Sequence, residues 1–196
     1  MSSSPQPVAD LLADLARGLG GLGVRWFLFG AQAAILHGAA RLSADVDVTV
    51  DLGARSSREL VDALSREGFE LRIADAAGFV EATRVLPLVH QASRMPLDLV
   101  LAGPGLEEQF FARATERIIG GVRVPVVSAG DLVAMKILAG RPRDVEDVAG
   151  IIRAHRDLDS ESIRETLRLL ERALDRADLV VELDRILARV RASLGA

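Results

Sequence analysis

Cysteine is absent from the 196 residues, which excludes disulfides and zinc sites built on thiolates. Tyrosine and asparagine are absent too, and of the 24 basic residues Lys136 alone is a lysine. That skew fits a GC-rich coding sequence, under which surface lysines drift to arginine. The surviving ammonium therefore draws notice, because a compact point charge does what a guanidinium does not. Although 49% of the residues are hydrophobic, no apolar run approaches the roughly 20 residues of a bilayer span, and no membrane segment is expected. Met1-Ser2-Ser3-Ser4-Pro5 has neither the basic start nor the apolar run of a secretory signal, so the expected location is the cytoplasm. With a net charge of −4 and scattered arginines there is no basic tail or continuous stripe of a nucleic-acid binder, which leaves room only for a local RNA-binding groove. No repeat or low-complexity linker is present.

What is there reads as an α/β half of about 125 residues followed by a helical half, with a division expected at residues 1–126 and 127–196. Val8, Leu11, Leu12, Leu15 and Leu19 predict a helix from Pro7 that Gly20-Gly21 ends. A strand follows at Arg25–Phe29, then Gly30 opens a helix to about His37, and Gly38 stops it. The next strand is expected at Asp45–Val50, and Ser56 with Glu59 has capping-box spacing for a helix to Arg66. Phe69–Ile73 reads as a strand. Residues 84–90 and 96–102 read as a hairpin whose first strand Pro87 assigns to a sheet edge. A strand pair over residues 117–126 turns at Gly120-Gly121. Beyond it Ser128 and Asp131 cap one helix, Pro142 opens another, and two amphipathic helices close the chain. Their stripes are Ile163, Leu167, Leu170, Leu174 and Leu183, Leu187, Val190, Leu194.

Alternation along a strand puts Asp45 and Asp47 on one face and Val46, Val48 and Val50 on the other. Two hard oxygen ligands side by side suit Mg²⁺ or Mn²⁺, although an Asp-x-Asp strand alone is most often a solvated face. Asp98 interrupts the apolar run Leu97–Leu101, and a carboxylate there needs water, an arginine or a metal. As a third ligand and general base it would complete a site for two divalent ions. Phe29-Gly30-Ala31 is a strand-to-helix turn where backbone can approach phosphate. Arg41 could clamp a triphosphate or be a loop arginine in water, and Ser43 caps or turns the loop. Lys136 is the one charge in Leu132–Ala139, so it either snorkels outward or enters a charged pocket. Asp144 and Asp147 share a helix face, where a solvated helix start is the plain alternative. None of the histidines is assigned as a metal ligand: His37 is near the glycine turn, and His90 and His155 are isolated in the sequence.

Gly30-Ala31, the run His37–Asp47, Leu97-Asp98-Leu99 and the segment Lys136–Asp147 together resemble the AbiEii and MenA toxin-like group of the polymerase-beta-like nucleotidyltransferase superfamily. The resemblance spans most of residues 26–150. It implies a mixed sheet flanked by helices, followed by a helical bundle, with Asp45, Asp47 and Asp98 on Mg²⁺. It further implies that Gly30, Ala31, Arg41, Ser43, Lys136 and Arg141 surround a nucleoside triphosphate, with Lys136 catalytic and Asp144 orienting Lys136 or Arg141. Many members have Ser or Gly where this chain has Ala31, so only a backbone donor is offered there. The implied reaction is transfer of a nucleoside monophosphate to a hydroxyl on tRNA or protein, in a toxin with a cognate antitoxin or in phage defence. A small-molecule nucleotidyltransferase of the aminoglycoside-modifying kind and a catalytically inactive NTP-binding interaction protein are the alternatives.

Overall fold

The computed structural model describes residues 7–194; Met1-Ser2-Ser3-Ser4-Pro5, read above for a leader, lies outside the described residues. In chain order the elements are α1 (Pro7–Leu22), β1 (Arg25–Phe29), α2 (Gly30–Leu36), β2 (Val46–Asp51), α3 (Ser57–Arg66), β3 (Phe69–Leu71), α4 (Ala76–Thr83) and β4 (Val85–His90). Then come β5 (Pro96–Leu101), α5 (Leu106–Arg113), β6 (Thr115–Ile119), β7 (Val122–Val126), α6 (Ala129–Ala139), α7 (Pro142–Ala154), α8 (Ser160–Leu174) and α9 (Leu179–Leu194). The chain divides into two compact units, residues 1–32 with 43–127, and residues 33–42 with 128–196.

The first unit is built on a seven-stranded mixed sheet of order β3-β4-β5-β2-β1-β7-β6. β1 runs antiparallel to β2 and parallel to β7, and β2 runs parallel to β5. Val46, Val48, Val50, Leu97 and Leu99 form a fully buried face, as β-branched and aliphatic alternation dictates. On α1 the residues Leu11, Leu12, Leu15 and Leu19 are fully buried, and the helix packs on α3 and β7. The opposite face is covered over part of its area, where Phe111 of α5 meets buried Phe27 edge to face at 4.8 Å.

Several boundaries differ from expectation. Gly20-Gly21 does not end α1; the helix continues to Leu22 and stops at Gly23, whose φ of +67° turns the chain while its N–H bonds to Gly20 O at 3.1 Å. Pro87 does not put β4 at an edge, since β4 lies between β3 and β5. The Pro87 carbonyl accepts the N–H of Arg72, so its missing donor faces the place where β3 has already ended, and no internal ladder bond is lost. α4 and α5 have no counterpart in the sequence reading. Each is eight residues long, and Phe110 is the core contact of α5, too little for a 3.6-residue stripe.

The second unit packs α6, α7, α8 and α9 together with residues 33–42. Ser128 caps α6 by accepting the Asp131 N–H at 3.1 Å, Pro142 stands in the first turn of α7, and Gly140 ends α6 with φ +64°. In the α8 stripe Ile163 and Leu167 are buried, whereas Leu174 at the end of the helix is exposed. Leu183, Leu187 and Val190 of α9 are buried; the side chain of Leu194 lies outside the described residues.

Candidate active site

In the first unit β2 and β5 are paired in parallel with Asp47 directly beside Asp98. Neighbouring strands lie about 4.8 Å apart, and register partners project from the same face, so the two carboxylates form a cross-strand pair backed by the buried valines. On the other side of β2, Asp47 is opposite Phe29, the last residue before the glycine turn. Gly30 has φ +66°, and a Cβ there would come within 2.6 Å of Asp47 Cγ. The turn is thus pressed against the carboxylate, a contact that only glycine permits. Asp45 stands just before β2 and is exposed; its carboxylate accepts the Ser43 hydroxyl. Gln32 holds this approach in place, its Nε2 donating to Ser43 O at 3.2 Å and Asp45 O at 3.3 Å. Asp98 accepts from the Arg72 guanidinium. Ala31 is buried and presents a methyl. Among the described residues no three His, Asp or Glu side chains stand gathered as a metal cage.

In the second unit the lone lysine is 5% exposed, and its ammonium lies between two carboxylates that are each 4% exposed. Lys136 Nζ donates to Asp144 Oδ1 at 3.0 Å and to Asp147 Oδ2 at 2.7 Å. Arg141 Nε donates to the other oxygen of Asp144 at 2.8 Å, and Arg41 Nη1 donates to Asp147 Oδ2 at 2.8 Å. Burial by itself pushes the Asp144 carboxyl up, but the hydrogen bonds and charges of Lys136 and Arg141 outweigh it and hold the group below the usual carboxylate range. The cluster forms because α6 and α7 are joined by the short Gly140-Arg141 turn, which brings Lys136 alongside the first two turns of α7. A cleft of about 800 Å³ opens beside it, lined by Arg41, Leu42, Arg143, Glu146, Asp147 and Arg153 with glycines and alanines between them.

The residues singled out from the sequence therefore form two groups, each within one unit. Gly30, Ala31, Ser43, Asp45, Asp47 and Asp98 belong to the first; Arg41, Lys136, Arg141 and Asp144 belong to the second. Three contributors carried no role in the sequence reading: Gln32, Arg72 and Asp147. Asp147 had a signal in its i, i+3 spacing from Asp144; Gln32 and Arg72 had none, since their partners are distant in sequence. Two histidines read as isolated are not. His90 is paired at 2.8 Å both with Ser93 and with Asp14, and His155 packs edge to face on His37 at 5.3 Å between ring centres.

The family model described as nucleotidyl transferase AbiEii toxin, type IV TA system, matches residues 13–192. Comparison with curated protein sequences gives no match. Among solved structures, the antibiotic-resistance factor ANT(2'')-Ia in solution superposes with a TM-score of 0.57 at 18% identity, covering 85% of this chain and 91% of its own. Crystalline ANT(2'')-Ia in complex with adenylyl-2''-tobramycin gives 0.50 at 17% identity, covering 93% and 98%. The lincosamide antibiotic adenylyltransferase LnuA, lincomycin-bound, gives 0.50 at 12% identity, covering 72% and 94%. At these identities the likeness is one of fold.

Proposed function

We propose, from the premise that the chain belongs to the nucleotidyl transferase AbiEii toxin family, that it is a metal-dependent enzyme moving a nucleoside monophosphate from an NTP to a hydroxyl on RNA or protein. The observation that carries this reading is the Asp47–Asp98 register pair with Gly30 pressed against Asp47. An all-oxygen donor set is what Mg²⁺ or Mn²⁺ requires. Asp45, Asp47 and Asp98 would hold the ion, Asp45 giving up Ser43 and Asp98 giving up Arg72 as partner. When bound, it supplies charge neutralisation on the phosphates and a more acidic acceptor hydroxyl.

The chain's own residues do the rest by positioning and electrostatics. The turn at Gly30-Ala31 offers backbone to phosphate, and Ala31 adds only a methyl. Asp98 takes the proton of the acceptor hydroxyl as its oxygen bonds to the α-phosphorus, and the bond to pyrophosphate breaks in line. The family also supports a cytoplasmic toxin restrained by a cognate antitoxin.

The test is to incubate the purified chain with each labelled NTP, Mg²⁺ and, separately, total RNA, cell protein and an aminoglycoside. We expect label on RNA or protein that disappears in D47N, a loss of about a thousandfold or more, as for removal of a charge-stabilising group at a reacting centre. Label on the aminoglycoside alone replaces the acceptor with a small molecule. Binding of NTP with no Asp47-dependent label on any acceptor removes the enzyme reading. Induction in a host should arrest growth for the wild type and not for D47N; growth unaffected by either discards the toxin role.

A further inference from the structure

One face of α7 presents Arg143, Asp147, Gly150 and Ala154 at successive helical intervals, with Glu146 and Arg153 beside them, toward the cleft it shares with residues 38–42. We propose that this cleft is a phosphate-binding site whose cations are Arg41, Arg143 and Arg153, and that Asp147 is the buried anchor fixing Arg41. The inference deepens the nucleotide-transfer reading and rests on it for its biological meaning; the binding chemistry is read from this cleft alone.

Three features make it a built site. The Arg41 guanidinium is held at 2.8 Å by Asp147, which is itself held at 2.7 Å by the buried Lys136. One donor of the planar fork is thereby spent on orientation, and the others are left to grip an oxyanion in a fixed direction. Arg143 and Arg153, in contrast to the ion-paired Arg25, Arg164, Arg176 and Arg185, carry no ion pair among the described residues. Ten residues apart on α7, they stand about 15 Å apart along its axis, a span for several consecutive phosphate groups rather than one. The cleft's base is closely packed: a Cβ at Gly150 would come within 3.1 Å of Ala39 Cα, and one at Gly38 within 2.5 Å of Ala154 Cβ, so α7 lies directly against residues 38–39, while exposed Leu42 joins the arginines in the lining.

Glu146 refines the ligand. An exposed carboxylate among three guanidiniums repels a bare polyphosphate but accepts hydrogen bonds from hydroxyls. The preferred ligand is therefore phosphate joined to a hydroxyl-bearing sugar, that is, ribose phosphate. Its source is the donor NTP or the backbone of an RNA acceptor, and both offer the same chemistry.

The full chain is titrated, by calorimetry without turnover, with inorganic tripolyphosphate and with a short single-stranded RNA. Loss of one charge-assisted contact should weaken the probe that uses the cleft about tenfold, in each of R41A, R143A and R153A. D147N should match R41A, and D147E should recover part of the loss. E146Q should tighten tripolyphosphate. For RNA, log K against log salt should become shallower by about 0.7 for each arginine removed. A loss confined to tripolyphosphate supports the site and assigns the donor; a loss confined to RNA supports it and assigns the acceptor. Affinities for both probes unchanged in R143A/R153A, or tripolyphosphate loosened by E146Q, overturn it. Arg143 and Arg153 are exposed, so these variants keep the test valid even where D147N melts early. Label transfer is measured in parallel: lost transfer with intact phosphate binding sinks the reaction and not the cleft.

Discussion

Gly30 and Asp47 are coupled by contact, and each explains a constraint on the other. A left-handed φ costs a residue with a side chain about 1–2 kcal/mol, and here the added carbon also runs into the carboxylate. Gly30→Ala is expected to lower thermal stability by at least that amount and to displace Asp47. Transfer assayed well below the melting temperature should then fall further than the loss of folded protein explains. If activity per folded molecule is unchanged, the glycine serves the turn only. Lys136 shows the same dependence of one residue on its neighbours. A buried ammonium is tolerable because two carboxylates meet it, and those carboxylates in turn are shared with Arg41 and Arg141.

At the scale of elements, local chemistry sets most starts and stops. Ser56 and Glu59 form the capping box that their spacing announces: the Ser56 hydroxyl accepts the Glu59 N–H at 3.2 Å, and the Glu59 carboxylate accepts the Ser56 N–H at 2.9 Å. Burial of Leu60, Ala63 and Leu64 then seats α3. Ser56→Ala should cost about 1 kcal/mol, read as a lower urea midpoint with an unchanged slope. A midpoint equal to wild type means that packing rather than capping sets the start of α3. The elements that escaped the sequence reading are those whose reason is not local. α4 and α5 lack a stripe, and β4 becomes an internal strand because β3 pairs along it up to the point where Pro87 lacks a donor.

For the molecule as a whole, the buried cluster around Asp144 makes stability depend on acid. Asp144 is held below the usual carboxylate value of about 3.9 in the folded chain, so the unfolded chain takes up that proton first. The resulting stabilisation is complete above the ordinary carboxylate range and is lost as pH falls through it toward the depressed folded value. Asp144→Asn should therefore be less stable than wild type at neutral pH and should lose less stability on acidification. Urea midpoints measured across that window check this. Parallel curves for the two proteins show that other carboxylates govern acid unfolding.

The sequence by itself determined the alternation that buries Val46, Val48 and Val50, the caps at Ser56 and Ser128, the hairpin turning at Gly120-Gly121 and, through the family resemblance carried by the whole set of motifs, the fold class; that Asp45 stands just before β2 and not in it was not legible. The local features are readable because each depends on residues within a few positions of one another, where helix and strand periods apply directly. Only the tertiary structure decided that Asp98 lies beside Asp47 and beneath Arg72, that Gly30 touches the Asp47 carboxylate, and that Arg41 reaches Asp147 across 106 residues of chain. Strand order, register and the pairing of buried charges arise from contacts between segments far apart in the chain, and no local period encodes which distant partner a side chain meets.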